Sequence, residues 1–177
     1  LEDSLYISFW INTLKEWNYE YSQKNIASTF FDKWLQKIES YTWSDDFENN
    51  YIWPEIDKLE ELIIYQPNSK WFDNKKTDYS EGLKDICNQS FSDVIKQYSH
   101  YSSLVNIEQC PDSIKYRMTN IMHLAKIPDF SSLNLKTSGA KNIINATRKN
   151  EGPSFRYVIE MSHPHKIKGI YPGGQSG

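Results

Sequence analysis

"SFRYVIEMSHPHKIKGIYPGGQSG", residues 154–177, is the stretch from which the rest of the chain is read. Over residues 154–161, Phe155, Tyr157, Ile159 and Met161 alternate with Ser154, Arg156, Val158 and Glu160. That period of two is the pattern of a strand with one apolar face. Ser162 to His165 breaks the run, and "KIKGIYP" (166–172) begins a second strand. Upstream, Asn150 to Pro153 supplies another break, and "KNIINAT" (141–147) predicts a third. Three strands make a poor sheet alone, because their edges leave backbone N–H and C=O groups unpaired. The segment therefore reads as a piece of a larger sheet. The turn Pro172-Gly173-Gly174-Gln175-Ser176-Gly177 reads as one that leads onward, and an opening Leu1 in place of Met reads as a cut.

Ahead of the strands the period is helical. Asp3 and Ser4 are placed to cap a helix with Leu5, Phe9, Trp10, Leu14 and Trp17 on one face. Asn25 opens a second, carrying Ile26, Phe30, Trp34, Ile38 and Tyr41, and Ser44-Asp45 begins a short third segment. Pro54 suits a first helical turn, with Glu55 and Asp57 complementing the dipole and Ile56, Leu59, Leu62 and Ile63 behind it. Pro67-Asn68 stops that helix. Asp78 and Glu81 stand at capping-box spacing before Leu83, Ile86, Cys87, Phe91, Val94, Ile95 and Tyr98, the cleanest amphipathic pattern in the chain. A further helix is predicted from Asp112 to about Ala125, closed by Pro128.

A chain of 177 residues suffices for one domain with its own core. Aromatics reach 15% of residues within a hydrophobic fraction of only 38%, so rings must supply much of the packing. A net charge of -3 with both signs interspersed gives no basic stripe for nucleic acid. No run approaches the length of a membrane span. Cys87 and Cys110 are too far apart in sequence to suggest a disulfide framework or a metal spacing.

"INATRKNEGPSFRYVIEMS" followed by "GIYPGGQSG" resembles the C-terminal signature of the penicillin acylase family of N-terminal-nucleophile hydrolases. The matching positions are Asn145, Gly152, Pro153, Ser154, Arg156, Pro172, Gly173, Gly174, Gln175, Ser176 and Gly177. "LKEWNYE" and "ASTFFDKWLQKI" near the start are similar to the family's Leu-x-x-Trp-Asp stretch and the helix after it. Tyr116 and His123 stand where the family often carries Trp-x-Trp-Gly before a His, and Ser138-Gly139 where it tends to place paired glycines.

The resemblance implies an α+β chain. A helical excursion over about 1–127 would precede C-terminal strands, 140–177, of an incomplete αββα sheet. It further implies amide hydrolysis by acyl transfer to an N-terminal serine outside these residues, with oxyanion donors and calcium ligands also upstream. No catalytic, cofactor-binding or metal-ligating residue is thereby assigned to this sequence. Its partners would be the remainder of the acylase, and the isolated segment would be inactive and self-associating.

The residues themselves suggest little other chemistry. His163 and His165 can suit a metal but have no carboxylate or cysteine partner nearby in sequence, so they read as a turn around Pro164. His100 and His123 are lone histidines, and Asp45-Asp46 and Glu60-Glu61 read as solvated acidic pairs. Ser154 and Ser176 lack a nucleophile-elbow context, and "YPGGQSG" lacks the Gly-Lys-Ser/Thr ending of a phosphate loop. Arg156 is expected in a structural ion pair between sheets rather than on substrate. Asn88-Gln89-Ser90 and Asn145-Ala146-Thr147 match the glycosylation triplet inside predicted regular structure. The competing account is a stand-alone helical interaction module with an aromatic groove.

Overall fold

Asn25 opens the longest helix among the described residues as its sequence predicts: its Oδ1 accepts the backbone N–H of Ser28 at 3.0 Å. That bond satisfies one of the orphan donors of a helix start. The computed structural model describes residues 2–47, 52–99, 110–121, 131–150 and 156–170. They form a mixed α+β arrangement of helices and short antiparallel strands. Contacts divide it into two units, Leu1–Glu16 with Phe30–Gln109, and Trp17–Thr29 with Cys110–Gly177.

The first unit holds α1 (Glu2–Lys15), most of α2 (Ile26–Trp43), α3 (Ile56–Tyr65), a 3-10 turn at Lys70–Phe72, and α4 (Leu83–Ser99). Phe30 and Ile38 of α2 are buried with Trp10 of α1 and with Ile86, Val94, Ile95 and Tyr98 of α4. Trp10 stacks on Phe30 with centroids 4.1 Å apart, and Phe91 meets Phe30 edge-on at 5.3 Å. Leu59, Leu62 and Phe72 close a second cluster with Ile38, Trp43 and Ile86. Polar bonds fix α2 against α4: Trp34 Nε1 donates to Ser90 Oγ at 3.0 Å and to the Cys87 carbonyl at 3.2 Å, and the Tyr41 hydroxyl to Asp93 Oδ2 at 2.6 Å. Trp10, Phe30 and Trp43 are interior.

Several local features differ from what the sequence pattern predicts. α1 begins before Asp3 and Ser4, so neither is its cap, and Leu5 is 73% exposed. Ser44-Asp45 continues α2 by a turn rather than starting a helix, since the N–H groups of Asp46 and Phe47 both return to the Trp43 carbonyl. Pro54 precedes the N-cap, Glu55, and lies outside α3. Glu81 forms no capping box with Asp78. Its carboxylate turns back into the loop, accepting the Asn74 N–H at 3.0 Å and the Thr77 hydroxyl at 2.8 Å. Gly82 stands before α4 in its place, and its N–H donates to Asp85 Oδ2 at 3.0 Å, the reverse half of such a box.

In the second unit the helix expected from Asp112 to Ala125 is cut to α5 (Asp112–Lys115). The chain turns extended at Tyr116 and becomes β1 (Met118–Ile121), paired antiparallel with β2 (Ser132–Lys136). Helix is overruled because partners distant in sequence satisfy this backbone: the Asn120 N–H donates to the Lys149 carbonyl at 2.7 Å. The run at 141–147 is likewise not a strand. Ala140 and Ala146 make one parallel bridge, and the residues between them turn back on themselves. β3 (Arg156–Glu160) and β4 (Lys166–Ile170) form the expected hairpin, in register from Arg156↔Ile170 to Glu160↔Lys166. The described strands are therefore four, in two separate two-stranded sheets.

Candidate functional site

Tyr116, Arg117 and Met118 lead from α5 into β1, and the arginine is the hub of the second unit. Its Nε donates to the Gly139 carbonyl, its Nη1 to the Ser28 carbonyl at 3.4 Å, and its guanidinium carbon lies 4.9 Å from the Tyr21 ring centroid. The Arg117 N–H donates to the Gln23 carbonyl at 3.1 Å, and the Gly139 N–H to the Tyr21 carbonyl at 2.8 Å. Gln23 Nε2 completes the joint by donating to the Lys136 carbonyl at 2.8 Å. A guanidinium is always charged and presents a rigid fork of donors, so several carbonyls and one ring can be organised around it.

Residues 17–25 are shaped to meet this hub. Trp17 is buried, its Nε1 donates to the Glu20 carbonyl at 3.1 Å, and its ring meets Tyr21 edge-on at 5.3 Å. Asn18 Oδ1 accepts the Glu20 N–H at 3.1 Å, which holds Tyr19 at a positive φ of 61°. Opposite, Gly139 has φ 106°, and a Cβ there would collide with Asn145. The Ala140 N–H donates to the Asn145 carbonyl at 3.2 Å, and the buried Asn145 Oδ1 has no hydrogen-bond partner.

The electrostatics nearby are those of a joint. The Asp112 carboxylate is held below the usual range first by Lys136, 3.0 Å away, and further by Lys115 at 3.6 Å. Lys136 Nζ also sits 3.8 Å from the Tyr116 ring centroid. The guanidinium of Arg117 is directed at backbone carbonyls, an arrangement that positions segments rather than polarises a substrate.

Of the motif residues read from the sequence, Asn145 lies in this unit with Trp17, Asn18 and Ser138-Gly139. Gly152, Pro153, Ser154, Pro172, Gly173, Gly174, Gln175, Ser176 and Gly177 lie outside the described residues, as do His100, His123 and Pro128. Arg156 is the first backbone position of β3, and its expected ion pair falls outside the described side chains. Sequence reasoning missed Arg117, Tyr21 and Gln23. A lone arginine in "KYRMT" carries no local signal, because its partners stand 22 and 89 residues away.

Other candidate positions fall into structural roles. Ser90 of the first glycosylation triplet is buried and donates to the Cys87 carbonyl, and Thr147 of the second is buried. Burial pushes the half-buried Cys87 thiol up, away from the reactive thiolate. Among the described residues no three His, Cys, Asp or Glu side chains converge to hold a metal ion. No helix among them is long and apolar enough to cross a membrane.

The penicillin amidase family matches the chain over residues 2–177. No curated protein and no solved structure matches it.

Proposed function

The chain belongs to the penicillin amidase family, and from that premise we propose that it is the C-terminal part of an amidohydrolase acting on linear amides. In this reading a serine outside residues 1–177, bearing its own free α-amino group, attacks the amide carbonyl. The amine leaves with a proton, and water then cleaves the acyl ester. Preorganised donors for the oxyanion lie outside these residues as well. The present residues supply scaffold and a wall of the acyl pocket. Residues 1–127 form an excursion, and the strands within 140–177 belong to the αββα sheet of the whole enzyme.

The family match across the chain carries this proposal. The β3–β4 hairpin supports it. Tyr157, Ile159 and Ile167 share one face by register, and all three are more than half exposed. Such a face fits strands that complete their packing against further layers of a larger enzyme. The arrangement around Arg117 supports a scaffold role in the same way. An interaction module presenting an aromatic groove is less well supported, because Trp10, Trp17, Trp43, Phe30 and Phe72 are buried in the interior.

The test is amide cleavage by the full-length protein encoded by the gene that contains these residues. It should release 4-nitroaniline from acyl 4-nitroanilides, and replacing the serine exposed by self-cleavage should abolish that release. Residues 1–177 alone should release none. Hydrolysis by the isolated segment, or an inert full-length protein across a panel of acyl chains, overturns the proposal.

A further inference from the structure

His163 and His165 flank the tip of the β3–β4 hairpin, and the structure brings together what the sequence merely spaces. Their rings stand 4.6 Å apart between centroids, tilted by 50°. Both residues are exposed, and the Glu160↔Lys166 pair closes the loop that carries them. An imidazole nitrogen ligates a divalent ion at about 2.0 Å, which sets the ring centroid roughly 3.2 Å from the ion. With each ring turned so that one nitrogen meets a shared ion, centroids held 4.6 Å apart would subtend roughly 90° there, the angle between adjacent positions of a square-planar site. A tetrahedral ion would need the centroids roughly 5.2 Å apart.

We propose that His163 and His165 form a two-imidazole site for a divalent copper ion. Copper favours the square-planar angle and stands highest in affinity among the first-row divalent ions for nitrogen donors. No third His, Cys, Asp or Glu among the described residues joins the pair. The other equatorial positions are therefore held by water or by an incoming donor, and the ion is exchangeable.

The test is a Cu²⁺ titration of the full-length protein, free of any added histidine tag and followed by electron paramagnetic resonance. One ion should bind with tetragonal signals and hyperfine coupling to two imidazole nitrogens. His163→Asn and His165→Asn should each weaken binding by at least roughly tenfold, and the double variant should lose that signal with unchanged circular dichroism. Zn²⁺ should compete poorly. Single-nitrogen coupling in the unaltered protein, equal competition by Zn²⁺, or undiminished binding by the double variant overturns the proposal. The coupling pattern is read on the unaltered protein, so the outcome holds whether or not the variants fold.

Discussion

Gly139 and Arg117 show how single residues decide the second unit. At φ 106°, alanine at position 139 would be strained and its Cβ would strike Asn145. Gly139→Ala should cost about 2 kcal/mol or more, read as a lowered midpoint in thermal unfolding. Arg117→Lys keeps the charge but loses the fork of donors, so it should cost about 2 kcal/mol and fail to rescue Arg117→Ala. Equal stability of the lysine variant and the unaltered protein would refute the carbonyl-binding role. The Tyr41–Asp93 bond adds a pH signature. Tyr41 is pushed up to about 12 chiefly by its hydrogen bond to Asp93, and Asp93 is lowered chiefly by the same bond. The carboxylate's contribution is full above its unfolded value near 3.9 and falls as pH drops through its lowered value in the fold. The hydroxyl's is full below an unfolded value near 10 and falls as pH rises toward about 12. Tyr41→Phe should therefore cost about 1 kcal/mol at neutral pH, with the difference shrinking at both extremes. A gap that denaturant melts show to be constant with pH would contradict this.

At the scale of elements, α2 and α4 carry the first unit and their contact is aromatic. Phe30 is fully buried between Trp10, Phe91 and Tyr98. Phe30→Ala should destabilise by about 3–5 kcal/mol, the range for an aromatic truncation that leaves a cavity. Asn25→Ala removes one cap bond and should cost about 1 kcal/mol. A larger loss from the cap than from the core, measured in the same urea series, would reverse this ranking. α5 and β1 teach the opposite lesson. Four residues of helix give way to strand because the Thr119 hydroxyl donates to the Arg148 carbonyl and the Asn120 N–H to that of Lys149. Local preference at such a junction is weaker than two satisfied long-range bonds.

For the whole molecule, the β3–β4 hairpin sets how residues 1–177 behave when isolated. Val158 and Ile159 are both more than half exposed, although the register places them on opposite faces. Apolar side chains left in water favour association. The isolated segment should self-associate in sedimentation experiments, and joint Ile159→Lys and Ile167→Lys substitution should return it toward monomer while leaving helix content intact. A strictly monomeric segment before substitution would count against the hairpin as an unfinished layer.

What the sequence determined by itself is what short-range periodicity controls. Helices α2 and α4 and the β3–β4 hairpin follow from residues two to four apart, because those spacings decide which side chains share a face. The family signature was legible in the sequence for a related reason, being carried by two short runs, within 145–156 and 172–177. Tertiary structure alone decided the strand at 118–121, the folded-back turn at 141–147 and the Arg117 hub. At the Arg117 hub the deciding bonds cross 22 to 113 residues of chain, and at the strand the Thr119 bond to Arg148 crosses 29. The turn is closed by the Ala140–Asn145 and Thr147–Ala140 backbone bonds once its ends are held in place. A backbone whose polar groups find such partners takes the conformation that those partners require, whatever its local pattern.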